Sequence, residues 1–176
     1  MRRGTAALAV ALLTALAACG TAQPPPTALN AAATRLDADP VRAAIRGAAD
    51  TFAYPESVQN RPQEAAIAVA QLEFIAVEIM AGRTSINFSG IVGPALQSGR
   101  FEVRDYLGIA QDAPSQPVID SLLATPPALG NTAIFTAGPA ETMRRLAALP
   151  RLAQANSATA IARQQMEFGP PEFPDL

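Results

Sequence analysis

The stretch PQEAAIAVAQLEFIAVEIMA, Pro62 to Ala81, decides the fold. Proline at its start suits the first helical position, where a missing N–H leaves no bond unmade. Gln63 and Glu64 lie in the first turn, where negative charge complements the helix dipole, and Gly82 supplies the stop. Between these signals Ile67, Val69, Leu72, Phe74, Ile75, Val77, Ile79 and Met80 are apolar almost all round, the pattern of a helix packed on most of its sides. Glu64, Gln71 and Glu78 recur at heptad spacing and make one narrow polar stripe. Glu73 departs from it. At ~3.6 residues per turn it falls half a turn away, on an apolar face. A carboxylate there needs an arginine partner or takes a raised pKa. The expectation is a structural ion pair with Arg100 or Arg104; an exposed groove edge and a functional acid are the alternatives.

The flanking segments follow the same grammar. Asp39 caps a helix over Asp39 to Ala53, with Pro40 at its first position. Val41, Ala44, Ile45, Ala48 and Phe52 share one face, Arg42, Arg46 and Asp50 the other, and Tyr54-Pro55 ends it. Thr27 to Leu36 is a candidate helix start, with little beyond alanine to fix it. Beyond Gly82, Thr84 to Gly90 reads as extended, and Pro94 to about Leu107 as a helix with Leu96, Val103 and Leu107 inward and Gly99 weakening it. Gln111 to Pro117 reads as a loop, and Val118 to Ala124 as a short helix. Thr132 to Ala140 echoes the earlier extended passage: Ile, Phe and Ser or Thr, then Gly-Pro-Ala opening a helix. Repeated capping chemistry explains the echo; duplication or a strand pair would too. Helices over Pro139 to Leu149 and Arg151 to Phe168 complete the body, the latter with Ala155 and Ala162 permitting close approach. Glu102 and Asp105 read as an exposed pair on a helix, and Arg144-Arg145 as a solvated face. The fold expected is an all-α bundle of about five or six helices, with 84–89 and 132–136 as candidates for a short β-like pair. A single helical domain spans 28–168, preceded by a Pro-rich tether over 19–27 and followed by a Pro-rich tail over 169–176.

The N-terminus carries an address. Met1-Arg2-Arg3 is positive, and Ala6 to Ala18 is an apolar run broken only by Thr14. It is too short for the ~20 residues that span a bilayer and fits the apolar part of a signal peptide. Leu16-Ala17-Ala18-Cys19 ends it: a branched apolar residue, two small residues that a peptidase cleft admits, and a thiol. This resembles the lipobox of bacterial lipoprotein precursors. The resemblance covers the first 20 residues and implies a signal peptide over 1–18, cleavage between Ala18 and Cys19, and lipidation of Cys19. An ordinary secretory signal would leave that thiol without a partner in an oxidising compartment. Twin arginine followed by Gly4-Thr5 lacks the hydrophobic residues of a twin-arginine signal. Gly20 after the cysteine implies the outer membrane in the best-known sorting pattern, with the inner membrane as the alternative. The eight residues Gly20 to Thr27, with Pro24-Pro25-Pro26 in polyproline geometry, would hold the domain roughly 25 Å from the bilayer.

Composition removes several kinds of chemistry. All 13 basic residues are arginine and histidine is absent, so no catalytic triad or histidine metal site exists. With Arg2 and Arg3 removed, 11 arginines face 15 acids, a charge of about −4 that disfavours nucleic acid and electrostatic attachment to anionic lipid. No phosphate-binding glycine loop is present, and Asp37 with Asp39 lacks the remainder of a calcium loop. Neither a cofactor nor a metal is expected. The expected role is that of a membrane-tethered periplasmic lipoprotein with a non-catalytic structural or assembly function, its partners the membrane through the lipid and a protein of the cell envelope. One alternative is a binding module whose groove beside Leu72, Ile75 and Ile79 holds a small apolar ligand or lipid; another is a cell-wall enzyme built on two carboxylates.

Overall fold

The computed structural model describes residues 23–171. These form six α-helices: α1 (Pro40–Ala53), α2 (Pro62–Met80), α3 (Val92–Leu107), α4 (Ser115–Leu123), α5 (Pro139–Ala147) and α6 (Ala153–Phe168), with a 3-10 turn at Pro55–Val58. The fold is all-α. One apolar core runs through them from Ala33 to Met166.

Helix α1 starts because the Asp39 carboxylate accepts the N–H groups of Val41 (2.8 Å) and Arg42 (3.2 Å), two donors without intrahelical partners. Its face of Val41, Ala44, Ile45, Ala48 and Phe52 is buried. Helix α2 lies at the centre, against α1, α3, α4 and α5. Helices α3 and α6 run antiparallel: Gly99 meets Ala155, and Ser89 before α3 meets Gln165 near the end of α6. A Cβ on Gly99 would sit 2.9 Å from the Ala155 Cα, so the glycine that weakens the helix locally is what lets the two backbones approach.

Several boundaries and pairings depart from the sequence reading. Helix α3 begins at Val92, two residues before Pro94, and α4 at Ser115, two before Pro117. Both prolines sit at the third helical position, where the N–H is an orphan anyway, so each marks the first turn and not the first residue. Residues 84–89 and 132–136 do not pair, and no strand forms among the described residues. Instead Phe135 forms a lone antiparallel bridge with Ile109: Ala110 N–H donates to the Ile134 carbonyl and Thr136 N–H to that of Gly108, both at 2.8 Å. The shared capping vocabulary of the two passages thus carries no common structure. Thr27 to Leu36 forms irregular chain and turns rather than a helix. Glu102 is no idle exposed charge: its Oε2 accepts the N–H groups of Gln154 (2.8 Å) and Ala155 (3.0 Å), capping the first turn of α6 from a neighbouring helix.

Candidate functional site

The buried charged side chains among the described residues, Glu73, Glu78 and Arg104, gather in two clusters, each around a carboxylate on α2. Glu73 is 1% exposed and Arg104 fully buried. The guanidinium grips the carboxylate with both arms of its fork, Nε to Oε1 at 2.6 Å and Nη2 to Oε2 at 2.8 Å. Ser115 at the start of α4 donates to Oε2 at 2.9 Å. The remaining arm of Arg104, Nη1, donates to the carbonyls of Ala110, Gln111 and Ala113 at 2.9–3.1 Å. One side chain therefore ties α2 to α3 and fixes the 110–113 connection that delivers α4. Arg100 stands farther out, 3.7 Å from Glu73, and donates to the Ser115 hydroxyl at 2.9 Å. Burial, aided by the like charge of Arg104, holds Arg100 below the usual arginine range against the pull of Glu73. Of the two arginines expected opposite Glu73, Arg104 takes the close position. Both Glu73 oxygens accept hydrogen bonds from neighbouring side chains, and the carboxylate is closed off from solvent.

The second cluster forms where α2 ends. Glu78 belongs to the narrow polar stripe, and of its three members Glu78 and Gln71 are buried while only Glu64 faces solvent. Gln71 is covered by the 30s segment, to whose Ala33 carbonyl it donates at 2.7 Å, and fits because Gly47 has no side chain to meet it. Glu78 is covered by the proline segment. Its Oε1 accepts both the N–H and the hydroxyl of Thr27, each at 2.8 Å, and its carboxylate pairs with Arg83 at 2.8 Å. Arg83 also donates to the carbonyls of Pro24 (3.2 Å) and Pro25 (3.4 Å). Burial alone raises the Glu78 carboxyl; the bonds from Arg83 and Thr27 outweigh it and bring it below its ordinary 4.5. Residues 24–27, read as part of a spacer, are thus clasped at the end of α2.

The groove expected beside Leu72, Ile75 and Ile79 does not exist: they are 1%, 0% and 8% exposed, enclosed because α2 has helices on nearly every side. A hollow of about 460 Å³ opens elsewhere, between the 30s segment, α1 and α2, with Leu36, Val58 and Ile67 on its apolar side and Asp50 and Glu64 on its rim. On α5, Arg144 and Arg145 close onto Glu141 at 2.6 and 2.7 Å and hold its carboxyl at about 2. Arg144 stays largely solvated, while Arg145 also donates to the Tyr106 carbonyl at 2.7 Å. No group of three potential metal-ligating side chains converges among the described residues, and no helix there is long and apolar enough to cross a membrane. Cys19 and the Ala18–Cys19 junction lie outside the described residues, as does the tail beyond Pro171. Sequence reasoning missed Thr27, Arg83 and Ser115; a hydroxyl or arginine just past a proline run or a helix stop is the signal that marks such clasps. Compared with protein families, with curated proteins and with solved structures, the chain matches none.

Proposed function

We propose that this chain is a lipid-anchored protein of the bacterial envelope, attached through Cys19 and facing the periplasm from the outer membrane, where its helical bundle acts as a non-catalytic structural or assembly accessory through protein contacts. The observation that carries the reading is the lipobox-like Leu16-Ala17-Ala18-Cys19 behind a basic end and an apolar run too short to span a bilayer. The clasp supports it, because the segment that follows Cys19 is held by two bonds from Thr27 to Glu78 on the central helix and two from Arg83, just past that helix, to Pro24 and Pro25. The occupied state of Glu73 favours a non-catalytic role over a carboxylate enzyme. A second reading, a binding module for a small apolar ligand, now rests on the hollow beside Leu36 and Ile67, whose volume falls in the range of small-molecule sites.

Replacement of the anchor residue tests the first reading. Cys19→Ser is expected to move the protein from the membrane fraction to the soluble fraction of lysed cells. Sedimentation with membranes at the parent level would refute lipid anchoring.

A further inference from the structure

Among the described residues, six large apolar side chains are more than half exposed: Leu36, Tyr54, Met80, Ile91, Phe101 and Phe168. Three of these, Met80 (54%), Ile91 (60%) and Phe168 (81%), sit where α2 ends, α3 begins and α6 ends. Met80 closes α2, and its side chain lies against Gly93 in the first turn of α3. Ile91 precedes α3 by one residue and, with Phe168 and Pro170, lines a hollow of about 490 Å³ where α6 ends. Ser89 and Gln165, bonded backbone to side chain at 2.8 Å, hold those two elements together.

The same end receives the proline segment. Gln23 reaches the Ala81 carbonyl at 3.5 Å, Arg83 holds Pro24 and Pro25, and from Thr27 the chain descends along α2. Four residue steps separate Cys19 from Gln23, at most about 14 Å of extended chain. Taking the lipid anchor of the proposed function as given, an anchor this short brings the apolar end of the bundle to the bilayer, since the clasp prevents residues 24–27 from adding to the reach.

We propose that Met80, Ile91 and Phe168 form a membrane-docking face that enters the boundary between lipid headgroups and acyl chains and fixes the orientation of the bundle. The occupant is a lipid surface and not a protein, on two grounds: the available length of chain, and the location of the face where that chain meets the bundle. Attachment is apolar in character, because the mature chain carries an excess of acids over arginines, 15 against 11 once Arg2 and Arg3 are removed, and the arginines beside this face are paired, Arg83 with Glu78 and Arg163 with Asp50. Side chains of this kind enter the interface to a depth of roughly 5–10 Å.

The full lipidated chain, reconstituted in phosphatidylcholine vesicles, provides the test. Acylation blocks Cys19, so Ile91→Cys, Phe168→Cys and Arg61→Cys each supply one reactive thiol for an environment-sensitive fluorophore; Arg61 is exposed at the end of α2 opposite Met80, about 28 Å away for 19 helical residues, and its neighbours Gln59 and Asn60 bond to the Leu149 and Ala147 carbonyls, before α6 begins. Lipids brominated on their acyl chains are expected to quench the probes at 91 and 168 several-fold and to leave the probe at 61 unchanged, equally in neutral vesicles and in vesicles containing phosphatidylglycerol. Vesicle-bound protein whose probes at 91 and 168 are quenched no more than the one at 61 overturns the docking face while leaving the anchor intact. If those probes are instead shielded from aqueous iodide, a protein surface covers them and the lipid assignment is wrong. Quenching only with phosphatidylglycerol overturns the apolar character of the attachment. Protein that fails to float with vesicles although Cys19 is present overturns the anchor itself, and the docking face with it.

Discussion

Glu73 and Glu78 lie five residues apart on one helix, both are buried, and both are held by arginine, but their partners come from different parts of the chain. Glu73 draws on Arg104 of α3 and Ser115 of α4, so its bonds exist only when three helices have assembled. Glu78 draws on Arg83, five residues along the same chain, and on Thr27 from outside the bundle. The first cluster belongs to the fold, whereas the second belongs to the attachment of an irregular segment to a finished fold. Equal burial therefore does not imply equal consequence: what a carboxylate holds together decides what its loss releases.

The largest expected effect comes from the inner cluster. Arg104→Met leaves Glu73 buried with only Arg100, 3.7 Å away, as countercharge and is expected to lower the free energy of unfolding by about 3 kcal/mol in urea titrations. Glu73→Leu combined with Arg104→Met should recover the part due to the stranded charge. It should not recover everything, because the carbonyls of Ala110, Gln111 and Ala113 still lose their donor, at about 1–3 kcal/mol for a buried acceptor left unpaired. A double variant as stable as the parent would mean that the 110–113 connection does not depend on Arg104, and the contrast between the clusters would weaken.

The inner cluster was also the more legible in sequence. Helix α2 is so uniformly apolar that one carboxylate half a turn from the polar positions stands out, and the 3.6-residue period alone places it inside and asks for an arginine. Asp39-Pro40 was legible for a similar reason, since the cap and first position are local chemistry. The outer cluster was not. Heptad spacing makes Glu64, Gln71 and Glu78 look like one polar edge, but whether an edge is solvated depends on what lies over it, and Thr27 and Ala33 come from segments without periodicity. The expected groove failed on the same ground: in a helix apolar all round, the pattern does not say which face is left uncovered, so Leu72, Ile75 and Ile79 were as good a guess as any and proved interior. The apparent strand pair failed because Ser, Thr, Gly and Pro before a helix report capping rather than pairing.

A smaller effect is expected at the outer cluster. Arg83→Ala removes the bridge between Glu78 and the carbonyls of Pro24 and Pro25, none of which stabilises contacts between helices. The midpoint of global unfolding should stay close to that of the parent, while amide hydrogen exchange at Thr27 rises by roughly tenfold, the scale of a few hydrogen bonds at a solvent edge. A large drop in the midpoint would show that the clasp is part of the cooperative fold, and the two carboxylates would then differ in position alone.

The smallest perturbation is protonation, and its sign follows from the direction of the Glu78 shift. The folded carboxyl lies below its ordinary 4.5, so the clasp contributes its full stability above about 4.5 and loses it as pH falls through the lowered folded value. In the lipid-free Cys19→Ser chain, the Thr27 amide resonance should be constant from pH 7 to about 5 and move only on further acidification, because its acceptor is the Glu78 Oε1 atom. The helical circular dichroism signal should persist across the movement, since releasing residues 24–27 breaks no bond within a helix. Glu78→Gln is the control that assigns the titration: it keeps an acceptor oxygen for Thr27 but has no proton to gain, and should abolish the pH dependence. A Thr27 resonance that still titrates in Glu78→Gln would place the acid response elsewhere, and helix loss coincident with the Thr27 movement would make the clasp inseparable from the bundle it fastens.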